Sequence, residues 1–237
     1  METASYAALS RQSGLMHEIR LIANNIANMS TSGYRQEGLV FSEYIQDSRN
    51  QPSLSMGRAQ VKNTSLEQGV LTQTGSSLDF AIEGDGFFLI ETQAGERLTR
   101  AGSFATNAAS ELVNMDGHRV LDVNGGPIFI PPDADGVQVA ADGTISVEGR
   151  LLTQIGLYQP TNPNGLRREG GVMFRAEDGV EPTEGASILQ GFVEGSNVSG
   201  IEQVARLVEI QRAYELGQSF LEAEDERIRN AVKSLMR

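Results

Sequence analysis

The sequence predicts an α+β protein in which N- and C-terminal helices form a coiled-coil-like element that accompanies a central antiparallel β domain. Three observations lead there. Apolar residues recur at spacings of four and three near both chain ends, Asp-Gly and Asn-Gly pairs punctuate the middle, and short apolar runs flank those pairs.

Near the N-terminus, Leu15, Ile19, Ile22, Ile26 and Met29 follow one another at steps of 4, 3, 4 and 3. Such a heptad-like stripe keeps one narrow apolar seam turned towards a partner helix. Ser30-Thr31-Ser32-Gly33 then supplies small polar residues and a glycine as a stop. At the other end, Ser199 with Glu202 makes a capping-box pattern. From there Leu207, Ile210, Tyr214, Gly217, Leu221, Glu224, Ile228, Ala231 and Leu235 continue the same alternation to the C-terminus. Asn24, Asn25 and Asn28 sit on or beside the first seam; an amide there either bonds across a helix contact and fixes register, or faces water at a frayed end.

Between the helices lie seven turn-forming pairs, beginning at Asp85, Asp116, Asn124, Asp135, Asp142, Asn164 and Asp178. The runs Phe80 to Ile82, Phe87 to Ile90, Leu112-Val113, Val137 to Ala140, Ile145 to Val147 and Leu151 to Tyr158 read as short antiparallel strands. Residues 34–75 are rich in Ser, Gln, Asn, Thr and Gly and read as an extended connector. Periodicity alone leaves open whether the two helices pair with each other or pack on the sheet; the expected organisation, which a family resemblance decides, is a terminal helical domain from 1–33 and 196–237, the connector, and a β domain from 76–195.

Composition narrows the chemistry. The chain has 237 residues, 19 Lys plus Arg against 31 Asp plus Glu, and a net charge of −12, which disfavours nucleic acid and anionic lipid as partners. With no cysteine and only His17 and His118, thiol catalysis is excluded, and no metal, cofactor or catalytic residue is expected. Apolar runs such as Phe87-Phe88-Leu89-Ile90 fall far short of the roughly 20 residues that cross a bilayer, so no membrane insertion is expected. The start, Met1-Glu2-Thr3-Ala4-Ser5, lacks a basic stretch and an apolar core, so a cleavable secretory leader is not expected either.

Gly84-Asp85-Gly86 lacks the third glycine and following helix of a dinucleotide loop, and reads as a hairpin turn. Asp133, Asp135 and Asp142 lack the spacing of a calcium loop and read as turn carboxylates. The mixed charges from Glu222 to Arg229 read as a solvated helix face. A glycan-acting enzyme with helical dimerisation arms would instead need two carboxylates facing across a cleft, and a binding module would need a deep apolar pocket.

Three separated stretches carry a family resemblance. Ala23-Asn24-Asn25-Ile26-Ala27-Asn28, continuing through Gly33-Tyr34-Arg35, resembles the N-terminal motif of the flagellar axial (rod and hook) proteins. Leu189-Gln190-Gly191-Phe192-Val193-Glu194-Gly195-Ser196-Asn197-Val198, followed by Gln211-Arg212-Ala213-Tyr214-Glu215, resembles the matching C-terminal motif. Leu78 to Phe88, Thr99 to Phe104 and Leu112 to Gly117 are similar to segments of basal-body rod proteins, and Ala140 to Ser146 with Gly171 to Arg175 resemble the proximal-rod branch more than the distal-rod branch.

The resemblance implies a structural rod subunit that assembles helically and transmits torque from motor to hook. Its partners would be other rod subunits, copies of itself and the flagellar type III export apparatus, and its place the rod across the periplasm. The implied assembly interface is Leu15, Ile19, Ile22, Asn24, Asn25, Ile26, Asn28 and Met29 with Leu207, Ile210, Tyr214, Leu221, Ile228 and Leu235. Glu194, Ser196 and Asn197 read as family-motif residues or as local caps of the second helix, and Gly33, Gly195 and Gly200 as hinge or cap glycines.

Overall fold

The structure is a computed structural model that describes residues 2–48, 51–132, 136–183 and 185–236. It is α+β, with a long helix near each end and antiparallel strands between them. Helix α1 (Glu2–Ala27) is followed by β1 (Glu37–Ser48), β2 (Gln51–Thr64) and β3 (Leu71–Gln73). Next come β4 (Phe80–Glu83), β5 (Phe87–Thr92), β6 (Gly95–Thr99), β7 (Phe104–Thr106), β8 (Leu112–Asn114) and β9 (Arg119–Val120). Then follow β10 (Val137–Val139), β11 (Thr144–Val147), β12 (Arg150–Gln154), β13 (Leu157–Pro160) and β14 (Leu166–Arg168). The last are β15 (Met173–Ala176), β16 (Val180–Pro182), β17 (Ser187–Gln190), β18 (Phe192–Glu194) and α2 (Gly200–Leu235).

The chain forms two compact units. A helical unit comprises Met1–Ala27, Glu37–Ser65 and Ser199–Arg237; a β unit comprises Asn28–Gln36 and Leu66–Val198. Within the helical unit, β1 and β2 pair as a long antiparallel hairpin, with register shifts between Val40 and Phe41 and between Gln46 and Ser48. This hairpin occupies much of the stretch read as a connector, and both of its strands contact α1. Two neighbours for one helix broaden its buried stripe. Gly14, Leu21, Ile22 and Asn25 are buried and Leu15, Glu18, Ile19 and Ile26 half-buried, a band wider than one heptad seam.

Among the described residues of the β unit the largest sheet has nine strands, with β14-β15-β6-β5-β9-β8-β7 as its main path and β13 and β16 beside it. Separate small sheets join β10-β11-β12, β17-β4 and β18-β3. Phe80, Phe88, Phe104, Leu112, Ile128, Ile145 and Ile188 meet in one apolar core. Phe87, Leu89, Leu98, Leu121, Leu166 and Phe174 fill a second. Each buried side chain of this size contributes about 1.5–3 kcal/mol, which is what holds together a unit of such short strands.

The turn pairs differ in what they do. Asp116-Gly117 and Asp142-Gly143 close hairpins between β8 and β9 and between β10 and β11. Asp85-Gly86 does not: β4 pairs with β17, while β5 pairs with β6, β9 and β13, so this turn moves the chain from one sheet to another. Gly86 has φ +123°, outside the dihedrals of a two-residue hairpin turn. Asp178-Gly179 likewise separates β15 from β16, which belong to different pairings. Asn164-Gly165 lies in a 3₁₀ turn at Pro163–Gly165. Asp133 and Asp135 lie outside the described residues, whereas Asp142 accepts from the Thr144 N–H at 3.0 Å and from its hydroxyl at 2.9 Å, as a turn carboxylate does.

Candidate assembly interface

The helical unit shows where the terminal seams lie. Three contacts fix α1 antiparallel to α2: Asn25 with Gln203, Glu18 with Arg206, and Gln12 with Tyr214. On α2 the less exposed positions are Gln203, Leu207, Ile210, Ala213, Tyr214, Gly217, Leu221 and Glu224, a narrow stripe stepping by threes and fours. Ile210 is 2% exposed and Ile22 5%, so each is a fully covered anchor. Ile228 is 44% exposed, and nothing described beyond Glu224 is covered. The side chain of Leu235 lies outside the described residues.

The first helix ends at Ala27, before the predicted stop, so Asn28 and Met29 are not on it. Both fall in the β unit, where the Asn28 side-chain oxygen accepts from the Thr31 hydroxyl at 3.2 Å and Met29 is 51% exposed.

Of the asparagines, Asn25 is 1% exposed and Asn24 sits on the exposed side. The Asn25 amide donates to Gln203 Oε1 at 3.1 Å and to the Glu37 carbonyl at 2.8 Å, and accepts from the Glu37 N–H at 3.1 Å. One amide thereby joins α1, α2 and the start of β1. Further along, Gln12 Nε2 donates to the Tyr214 carbonyl at 2.9 Å and crosses directly over Gly217, where an added Cβ would stand 2.6 Å from that nitrogen. Beside this crossing is a groove of about 470 Å³ between the helices, lined by Ala8, Arg11, Leu15, Ala213, Leu216 and Phe220. Glu18 and Arg206 add an ion pair at 2.8 Å. Ser199 adopts the extended conformation of a cap (φ −84°, ψ 103°), yet its side chain makes no capping bond, so the expected capping box does not form.

The β unit carries a second constellation that periodicity could not reveal. Residues Gly33 to Gln36 lie against Glu194 to Asn197. The Gly33 N–H donates to the Glu194 carbonyl at 2.8 Å, the Asn197 N–H to the Tyr34 carbonyl at 3.2 Å, and the Gln36 N–H to Asn197 Oδ1 at 2.6 Å. Asn197 also donates to the Glu67 carbonyl at 2.8 Å, so it bridges chain segments. Gly33 (φ +70°) must be glycine here, because a Cβ would stand 2.3 Å from the Ala101 nitrogen.

Beneath these backbone bonds sits a buried ion cluster. Glu194 is 1% exposed; Oε1 meets Arg35 Nη2 at 2.9 Å and the Gly69 N–H at 2.9 Å, and Oε2 meets Arg100 Nη1 at 2.9 Å. Arg100 also donates to the Gly84 carbonyl at 2.6 Å and the Ile82 carbonyl at 3.3 Å, and Arg35 to the Glu67 carbonyl. Burial pulls the Arg100 guanidinium down to about 10; Glu194 opposes the shift, Arg35 adds to it, and Asp85 opposes it from farther off. Burial also lowers Arg35, again against Glu194. Arg100 remains a cation at neutral pH. Next to the cluster, the Arg168 guanidinium lies 4.2 Å from the Tyr34 ring centroid and 4.7 Å from that of Phe174 while donating to the Arg35 carbonyl.

Neither histidine joins a site: His17 is exposed on α1, and His118 follows the turn in which its N–H donates to Asn114 Oδ1 at 2.8 Å. Among the described residues no group of three or more His, Asp or Glu is placed to hold a metal ion. No described helix is long and apolar enough to cross a membrane.

Comparison with known proteins matches these regions. Residues 6–35 match the family model described as flagella basal body rod protein, residues 81–147 that of the flagellar hook protein FlgE/F/G D1 domain, and residues 189–234 that of the flagellar basal body rod FlgEFG protein C-terminal region. The chain is 36% identical to the flagellar basal-body rod protein FlgF of Caulobacter vibrioides, over 99% of this chain and 98% of that protein. It is 34% identical to FlgF of Rhizobium meliloti, again over 99% and 98%. It is 29% identical to FlgG of Bacillus subtilis, over 96% and 97%. The chain belongs to the flagellar basal-body rod protein family, and its similarity is greater to these FlgF members than to this FlgG.

Proposed function

We propose that this protein is a structural subunit of the flagellar basal-body rod, of FlgF type, that builds the rod through contacts with copies of itself and related rod subunits. The observation that carries the mechanism is the exposed apolar ridge of α2. Val204, Val208, Leu216, Phe220, Ile228 and Val232 are between 41% and 72% exposed and, with interruptions at Arg212 and Glu224, lie on one four-residue repeat.

Four residues advance a helix by about 400°, so such a ridge drifts about 40° per step and turns through about 280° from Val204 to Val232. A single straight partner covers one face only. A ridge that winds round α2 suits a helix surrounded by neighbours, as in a helical tube whose heterologous contacts do not close.

On this reading the terminal segments, 1–33 and 196–237, supply the inter-subunit seams, with Leu15, Ile19, Ile22, Ile26, Leu207, Ile210, Tyr214 and Leu221 setting the helix pair and Ile228 reaching neighbours. The pair is coiled-coil-like in spacing, and Asn24, Asn25, Asn28 and Met29 border it. The domain at 76–195 meets a different set of partners, and most of 34–75 adds its hairpin to the helical unit. The subunit reaches the rod through the flagellar export apparatus and there transmits torque.

Complementation of a deletion strain of the source organism tests the proposal. The wild-type gene should restore motility and complete rods in electron cryotomograms. Val204→Asp and Val232→Asp, both at exposed positions away from the groove between the helices, should leave the purified monomer folded and abolish rod completion. Full motility from both variants, or rods of normal length without the gene, would overturn it.

A further inference from the structure

We propose that Arg35, Glu194 and Arg100 form a charge clasp inside the β unit, binding the segment that follows α1 to the segment that precedes α2, with Arg35 as its releasable arm. Three features support this. First, the cluster joins residues far apart in sequence: 35 lies between α1 and β1, 194 ends β18 ahead of α2, and 100 directly follows β6. Nothing local holds them together, so the clasp exists only when both segments are seated.

Second, its two cations are not equivalent. Arg100 is anchored to the sheet by the Ile82 and Gly84 carbonyls as well as by Glu194. Arg35 stands on a segment without regular structure and binds Glu194 and the Glu67 carbonyl. Third, Glu194 divides its oxygens, giving Oε1 to Arg35 and Gly69 and Oε2 to Arg100. The carboxylate is the one anion of the described residues in direct contact with either guanidinium, Asp85 acting only at longer range.

The arrangement sets an unusual order of effects. Removing Glu194 leaves two buried cations facing each other, whereas removing Arg35 leaves a neutral Arg100–Glu194 pair. A cluster that served packing alone would lose more with each deletion. A charge clasp instead makes the second deletion a rescue: Arg35→Met should relieve the damage done by Glu194→Gln.

Hydrogen–deuterium exchange on the full-length protein reads this directly. The reporter amides are Gly33, Gln36, Gly69 and Asn197, which donate across the clasp; amides of β5 and β6 are the internal control. E194Q should speed reporter exchange relative to the control about a hundredfold, the scale set by a buried charge that loses its partner. R35M should speed it less, and the double variant R35M/E194Q should exchange more slowly than E194Q. If E194Q does not fold, recovery of folded protein by adding R35M carries the same meaning. A double variant as fast as or faster than E194Q, or one that fails to fold where E194Q folds, overturns the clasp. So does an E194Q reporter rate equal to wild type.

Discussion

Replacing Asn25 with alanine tests whether one amide sets the register of the terminal helices. The substitution deletes the bonds to Gln203 Oε1 and to the carbonyl and N–H of Glu37, at 3.1, 2.8 and 3.1 Å. The side chain is 1% exposed, so water does not reach its partners freely. At about 1 kcal/mol for each net hydrogen bond the loss is about 3 kcal/mol, with more for each group left buried and unbonded. Gln203→Ala removes only one of the three bonds and should cost about 1 kcal/mol. The two variants share that bond, so the double variant should fall short of the sum by about 1 kcal/mol. Urea unfolding followed by far-ultraviolet circular dichroism measures all three, since α1 and α2 carry nearly all the helical signal. An Asn25→Ala midpoint within about 0.5 kcal/mol of wild type would refute the reasoning, because surface substitutions without a structural role fall in that range. Strict additivity would show that the bond to Gln203 contributes nothing of its own.

Further expectations follow from close approaches and titrations. Gly102→Ala would place a Cβ 1.6 Å from the Phe80 carbonyl oxygen, and backbone cannot yield; a loss of more than about 4 kcal/mol, seen as poor recovery of folded protein, is expected. Gly217→Ala should be close to neutral in thermal unfolding, since about 1 kcal/mol of helix propensity offsets the displaced Gln12 bond, whereas Gly217→Val should destabilise clearly. Burial pushes the Asp122 carboxyl up, but bonds from the Gly126 and Asn124 N–H groups and the Thr153 hydroxyl outweigh it and hold the carboxyl below the ordinary range. A depressed folded value gives stability that is present above the unfolded value and disappears as pH falls through the folded one. The difference between wild type and Asp122→Asn in urea unfolding should therefore be constant near neutrality and vanish in the acid limb. A difference that grows below the ordinary carboxylate range would contradict the assignment.

The parts of the fold that were legible are those written in local pattern. Phe80 to Ile82, Phe87 to Ile90 and Ile145 to Val147 announce strands because apolar runs stop at turn pairs, and all three are strands. Which strands pair was not legible. The path β14-β15-β6-β5-β9-β8-β7 joins neighbours far apart in the chain, and a turn such as Asp85-Gly86 looks the same whether it closes a hairpin or changes sheet. The β1–β2 hairpin was not legible because the Ser-, Gln-, Asn- and Thr-rich composition of 34–75 resembles a linker's, and its register and contact with α1 exist only in the folded chain. Periodicity also found the α2 stripe up to Glu224 but had no means of showing that α1 is covered by two neighbours. The ion cluster left no local trace. Arg35, Arg100 and Glu194 each lie within a stretch that resembles the rod family, yet a charge has no period, and only the folded chain brings the three together.

The interleaving of the two units has a consequence for biogenesis. Three stretches separated in sequence must meet to complete the helical unit, and the last begins at Ser199; most of the β unit is one continuous stretch. A polypeptide halted at Val198 during vectorial delivery already owns everything the β unit requires and still lacks α2. Closure that waits on the final segment is of high contact order and correspondingly slow. The order in which the molecule matures thus follows its topology: sheet early, helix pair late, with the exposed apolar ridge of α2 added only at the end.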